Sequence, residues 1–495
     1  MPEFTSRKTP HLESFVSLNL RKTGGNALSI LTSDAMNRAT SFVLYAMVAR
    51  DLGAHEFGQL SLALTLFYIF QVLAVAGLKT LTIRQVTIDR SQTGRYFTTG
   101  CAIATFSSLS SLVLLFGFVR LMHYPTDTAL VILLLCLGLL PNAISAICDG
   151  IFQAWERMHL IPYVNVPVNV AKVGCAFLLL TRKSGLYAVI LILLASLFLT
   201  ALIEVWILFR KFPTQMEPLD FHFCLATFRS AVTFLGIDGT IAVMSSLNVL
   251  LLSKLATETE VGLYSAATQL LVPLLLVYQS IGQSVFPLMC RKVEPGFQSL
   301  KRISAQVIEV LLILALPALA GLFFLGDWAL SILYKNPVFQ QAFPTLRIVA
   351  WVLISQVFTS VLGQALVASH REKITLRIVA VDTLVNLLVG WPLIRLFGLR
   401  GAAVALLVTR LVDCFQHYIP VSRLFCGIPL AQIIWKPIIA GICMTAYLLL
   451  SSTQAGILRS VSATAIYSAA LIFLAIWASG GLRQFKEKYL LLLTQ

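Results

Sequence analysis

Apolar residues in this chain run in blocks of about twenty, and short linkers such as FPTQMEPLD and CRKVEPGFQSLKR separate them. Twenty helical residues cover about 30 Å, the thickness of a bilayer's hydrocarbon core. The pattern predicts fourteen spans, at 26–49, 57–83, 97–119, 127–153, 160–180, 185–209, 225–252, 261–289, 303–326, 343–369, 374–394, 400–422, 432–452 and 460–479. Residues 1–25 are polar and lack the apolar stretch of a cleavable signal peptide. The expected fold is all-α and polytopic, with no linker long enough for a catalytic domain.

Composition agrees. The 495 residues are 58% hydrophobic and 12% charged, with a mean hydropathy of +0.85, against about 25% charged in a soluble domain. The net charge of +15 does not indicate nucleic acid, because the basic residues gather in short loops and no soluble basic domain exists. Loops on the side of the N-terminus hold 21 Lys and Arg and the alternate loops hold 9. That bias predicts cytoplasmic termini, as an even number of spans requires. None of the nine cysteines is at CxxC spacing, and most lie inside apolar blocks, so they read as small hydrophobes.

Polar residues inside spans mark a pathway, because each must face protein or water. On span 1, Asp34, Asn37, Arg38, Ser41 and Tyr45 recur every three to four residues. Arg38 lies near the middle of that span, where a planar guanidinium fork suits a pyrophosphate. Its other reading is a self-neutralising pair with Asp34. Span 5 sets Asn165, Asn169 and Lys172 on one face, and Lys79 stands near the end of span 2. Span 4 carries Asn142, Ser145, Asp149, Gln153 and Glu156 as a stripe. Asp34, Asp149, Asp238 and Asp382 are candidates to bind a coupling Na⁺ or H⁺, while Arg410 and Asp413 read as a packing pair. Glu204 lies near a helix end and takes no assigned role.

Two stretches repeat. At an offset of 204, Gly58 meets Gly262, Ser61 meets Ser265, Ala63 meets Ala267, and Asp34 meets Asp238. At an offset of 213 to 214, WERMHLIP echoes SHREKITL and SGLYAVIL echoes FGLRGAAVAL. The expected organisation is an N-lobe over 26–209, a C-lobe over 225–422, two further helices over 432–479 and a tail over 480–495. Six helices separate the copies, so both share one orientation, and parallel repeats suit a transporter with its site near the midplane.

The stretch ARDLGAHEFGQLSLAL, with GLKTLTIRQ, VGLYSAATQLL, VFPLMCRK and FGLRGAAVAL, resembles the Wzx-like polysaccharide flippases of the MOP superfamily, which also holds the MATE exporters. The resemblance implies two six-helix lobes around a central cavity, two extra helices and alternating access. It also implies a cargo of undecaprenyl-pyrophosphate-linked oligosaccharide and residence in the bacterial inner membrane. Membrane lipids, glycosyltransferases and a polysaccharide polymerase are the partners it implies. The expected pyrophosphate and glycan contacts are Arg38, Lys172, Lys79, Asn37, Asn165 and Asn169. The alternative is a MATE-like cation-coupled drug or metabolite antiporter. The sequence has no Gly-Lys dipeptide, no Asp-x-Asp and no HExxH, so a phosphate-cradling ATP loop, a metal-dependent glycosyltransferase and a zinc peptidase are not expected. Neither enzymatic activity nor a cofactor is expected.

Overall fold

The blocks of apolar residues become helices that follow one another almost without interruption. The computed structural model describes residues 32–212, 217–291, 297–427, 430–451 and 456–478. The predicted segments 1–25 and 480–495 lie outside the described residues. Twelve helical stretches among the described residues are long and apolar enough to cross a bilayer. Large apolar side chains such as Phe106, Leu114, Leu202 and Phe473 are exposed along them, as a lipid-facing surface requires. This is a multi-pass membrane protein.

The chain divides into two compact units. The first comprises residues up to Leu52 and Leu62–Val243. It holds α1 (32–52), most of α2 (Ala54–Val75), α3 (Leu78–Ile88), α4 (Thr93–Leu121), α5 (Thr126–Cys136), α6 (Leu139–Ala154), α7 (Leu160–Thr181), α8 (Gly185–Lys211) and most of α9 (Phe221–Leu255). The second comprises Gly53–Ser61 and the chain from Met244 onward. Its helices are α10 (Glu258–Gln269), α11 (Val272–Arg291), α12 (Gln298–Tyr334), α13 (Phe343–Ala350), α14 (Val352–Ala368), α15 (Glu372–Leu424), α16 (Leu430–Leu450) and α17 (Gly456–Ala478).

Helix boundaries differ from the predicted spans in an informative way. The spans predicted at 57–83, 127–153, 261–289 and 343–369 are each broken in two, whereas those at 374–394 and 400–422 join into α15 across a kink at Gly398. The break in the first of these has a local cause. Ala76 and Gly77 both take left-handed φ, of 51° and 72°, which ends α2 and redirects the chain into α3. A Cβ on Gly77 would stand 2.5 Å from the Ala231 carbonyl oxygen, so the close approach of α9 also demands glycine. Hydropathy does not register a turn made from Ala and Gly inside an apolar run.

The repeats read in the sequence reappear in the backbone. Glu156 and His370, 214 residues apart, both have φ of 58°. The Glu156 N–H donates to the Gln153 carbonyl (3.0 Å) and the Arg157 N–H to that of Phe152 (2.9 Å). The His370 and Arg371 N–H groups donate to the Val367 and Leu366 carbonyls, each at 3.0 Å. Both sets form the same helix-ending motif, with paired bonds spanning five and three residues.

The other repeat touches its own copy inside the second unit. A Cβ on Gly58 would overlap the Glu258 carbonyl oxygen and lie 2.9 Å from the Gly262 nitrogen. A Cβ on Gly262 would overlap the Ala54 carbonyl oxygen and lie 3.0 Å from the Gly58 nitrogen. Ala54 and Glu258 are themselves related by the offset of 204, so the crossing is reciprocal. Beside it Phe57 is buried, with ring centroids 6.5 Å from Tyr334 and 6.2 Å from Phe339. The Tyr334 hydroxyl donates to the Ala266 carbonyl at 3.0 Å.

The two C-terminal helices pack on α12 through Ala320, Leu325, Ala440, Met444, Leu448, Ala463 and Tyr467. The Tyr467 hydroxyl reaches the Ile313 carbonyl at 3.0 Å, which satisfies a polar group that lipid would leave without a partner.

Candidate functional site

Within the first unit, five helices turn polar residues toward one cavity of about 330 Å³. On α6 the stripe of Asn142, Ser145, Asp149 and Gln153 faces it, because a spacing of three or four residues keeps side chains on one helical face. Glu156, the fifth residue of the predicted stripe, falls in the left-handed turn beyond α6. From α7 come Asn165, Asn169 and Lys172, from α1 Ser33, Asp34 and Asn37, from α3 Lys79, and from α8 Ser196 and Thr200.

Lys79 is held by a contact invisible in sequence. Its Nζ lies 3.2 Å from Asp149 Oδ2, although the two residues are 70 positions apart. Gly150 permits this, since a Cβ there would stand only 3.0 Å from the Lys79 carbonyl oxygen. The pair cancels charge on this wall. Asp149 Oδ1 is nevertheless buried without a hydrogen-bond partner. Lys172 differs. Its Nζ donates to Asn169 Oδ1 at 2.6 Å, and among the described residues no carboxylate lies within ion-pair distance of it. Asp34 likewise has no cationic partner there. Among the described residues the cavity therefore holds one uncompensated ammonium and one uncompensated carboxylate.

Behind the wall, Glu204 on α8 is fully buried. Its Oε2 accepts a short hydrogen bond from the Ser145 hydroxyl, while Oε1 has no partner. Sequence reasoning passed over Glu204 as a residue near a helix end. The overlooked signal was a lone acid inside the apolar run FLTALIEVWILF, which only an inward-facing position tolerates.

Arg38 does not form the predicted pair with Asp34, and it stands apart from the other polar residues of α1. It is exposed, it does not line the cavity, and it forms no ion pair with Asp34 among the described residues. The helical period explains this. At about 100° per residue, Ser33, Asp34 and Asn37 share one arc, and Arg38 points about 90° from its centre.

A second cavity of about 280 Å³ in the same unit shares Lys79, Asn142 and Ala146 with the first. Tyr68, Gln71, Thr80 and Asp238 also line it. The Asn142 amide donates to Gln71 Oε1 at 3.3 Å. Asp238 thus belongs to the second cavity and Asp34 to the first.

Asp382 lies in the second unit, 1% exposed, where it accepts a 2.8 Å hydrogen bond from Gln416. Nearby on α15, Asp413 pairs with Arg410 at 3.4 Å and with His417 at 2.8 Å. The predicted Arg410–Asp413 packing pair is present, and Asp382 is packed into protein beside Asn386, which is 3% exposed.

The family model described as polysaccharide biosynthesis protein matches residues 24–292, more than half of the chain, and the MatE model matches residues 240–391. A protein described as a probable low-salt glycan biosynthesis flippase of Haloferax volcanii is 23% identical over 398 residues, covering 79% of this chain and 82% of the relative. A putative O-antigen transporter of Shigella dysenteriae is 22% identical over 305 residues, covering 61% and 76%. Among solved structures, a lipid II flippase in an inward closed conformation superposes with a TM-score of 0.72 at 12% identity, covering 94% of this chain and 99% of that one.

Proposed function

Because the chain belongs to the polysaccharide biosynthesis protein family, we propose that it is a flippase carrying polyprenyl-pyrophosphate-linked oligosaccharide across the cytoplasmic membrane by alternating access. Relatives described as a glycan flippase and as an O-antigen transporter support this reading. The observation that carries it is the polar cavity in the first unit, where Lys172 keeps an unspent positive charge among Asn37, Asn165 and Asn169. A pyrophosphate brings negative charge and acceptor oxygens to donors of that kind. The amides serve phosphate and hydroxyl alike, and the polyprenyl tail stays in lipid.

Arg38, exposed on α1 one residue beyond Asn37, is a second cation for the same anion. Lys79 is occupied by Asp149 and serves the wall of the site rather than the cargo directly. Asp34, Asp149, Asp238 and Asp382 remain the candidates for an energising Na⁺ or H⁺, and Asp34 is the best placed of them. The excess of Lys and Arg in the loops on the side of the N-terminus supports cytoplasmic termini, and reporter fusions to each end test that orientation. Glycosyltransferases and a polymerase of the same pathway are the proposed partners.

The experiment is translocation of fluorescently labelled lipid-linked oligosaccharide by the full-length protein in liposomes. Lys172→Ala should slow flipping at least tenfold, while Lys172→Arg, which keeps the charge, should retain most of it. Unchanged flipping in both Lys172→Ala and Arg38→Ala would remove the anion anchor. The MatE match, with the carboxylates of the first cavity, favours a second reading as a cation-coupled antiporter. Efflux of cationic dyes without any lipid flipping would select it.

A further inference from the structure

The chemistry of the second cavity differs from that of the first. Its one cation, Lys79, is already paired with Asp149. The remaining groups are an aromatic ring, Tyr68, 40% exposed, the linked amides of Gln71 and Asn142, the Thr80 hydroxyl and the Asp238 carboxylate. All sit on membrane-spanning helices, where exposed polar groups of this kind must look onto water-filled space or protein. A free anion gains little here, and a hydrophobic molecule would leave an amide pair, a hydroxyl and a carboxylate without partners.

A pyranose ring matches this set. Its C–H face covers an aromatic ring, and its rim of hydroxyls both donates and accepts. Gln71, Asn142 and Thr80 do the same, while Asp238 only accepts, through strong charge-assisted bonds. We propose that the second cavity is a subsite for the first sugar of the cargo, read by Tyr68 and Asp238. The inference rests on the flippase reading and deepens it. In a lipid-linked oligosaccharide the first sugar is bonded directly to the pyrophosphate. The two cavities are neighbours in the same sense, since Lys79, Asn142 and Ala146 line both. The carboxylate of Asp238 also sets the class of sugar. It welcomes a neutral hexose or N-acetylhexosamine and repels a uronic acid.

The test compares two probes on the full-length protein in nanodiscs: undecaprenyl pyrophosphate, and the same lipid carrying one N-acetylglucosamine. Tyr68→Ala should weaken the sugar-bearing probe about tenfold and leave bare undecaprenyl pyrophosphate within about twofold, as loss of an aromatic contact plus its buried area implies. Tyr68→Phe, which keeps the ring, should bind both as wild type does. Asp238→Asn should weaken only the sugar-bearing probe, and it decides the question alone if Tyr68→Ala does not fold. Equal losses on both probes, or no loss on either, overturn the subsite while leaving the flippase reading intact. A wild-type protein that binds neither probe overturns the flippase reading and the subsite with it.

Discussion

The reciprocal crossing of Gly58 and Gly262 makes a sharp quantitative demand. Replacing either glycine with alanine places a methyl group against backbone atoms, the Glu258 carbonyl in one case and the Ala54 carbonyl in the other. No rotamer change relieves a clash with backbone, so the helices must part by about 1–2 Å to restore a normal contact. That movement loosens buried Phe57 from Tyr334 and Phe339. Overpacking of this kind costs about 1–3 kcal/mol, and alanine returns up to about 1 kcal/mol of helix propensity. Each single variant should therefore lose about 1–2 kcal/mol, read as a lower thermal midpoint of purified protein in detergent. Because one separation accommodates both methyl groups, Gly58→Ala with Gly262→Ala should cost about as much as either alone, well short of the sum. Gly174→Ala, which meets nothing within 4 Å, is the control and should be neutral or stabilising. Additive losses in the double variant, or two harmless singles, would refute the reciprocal contact.

Other outcomes follow from the site and its margins. Lys79→Ala leaves Asp149 without its cation and should destabilise by about 1–3 kcal/mol, discounted for the partial exposure of the lysine; adding Asp149→Asn should restore much of the loss in the same thermal assay. Glu204→Gln keeps an acceptor for the Ser145 hydroxyl and should hold stability within about 1 kcal/mol, whereas Glu204→Ala should lose about 2–3 kcal/mol through a cavity and a stranded hydroxyl. In the turn between α3 and α4, hydrogen bonds from Ser91 and Gln92 hold the Asp89 carboxyl below its ordinary range. A depressed folded-state pKa contributes stability above the unfolded value and loses it as pH falls through the folded one. The protection of the Ser91 amide, taken against the intrinsic exchange rate at each pH, should therefore fall on acidification, and Asp89→Ala should remove that dependence.

Hydropathy located the membrane-crossing stretches because lipid imposes one long-range constraint on every span. The polar faces of α6 and α7 were legible for a similar reason, since Asn142, Ser145 and Asp149 need only the helical period to fall in line. Contacts that depend on how helices dock were not. The Lys79–Asp149 pair joins residues 70 apart, and nothing local to either announces the other. Glu204 sits seven residues before the last residue of α8, which invited a reading as an end residue, yet burial there is complete. Arg38 shows the opposite difficulty. Its position in the middle of a span suggested an inward role, but a polar face defined by five residues was too broad to say which of them enter the cavity. The broken spans were missed because turns such as Ala76–Gly77 use apolar residues that leave the hydropathy profile unchanged.

The crossing of the repeated segments has a consequence for how such a chain changes over generations. Residue Ala54 touches Gly262 while Glu258 touches Gly58, an isologous arrangement of the sort otherwise found where two identical subunits meet about a dyad. In a homodimer a single codon change would strike the contact twice. In a single polypeptide each side can mutate separately, and here each carries its own glycine. The joint has a subunit-like symmetry that no single codon enforces.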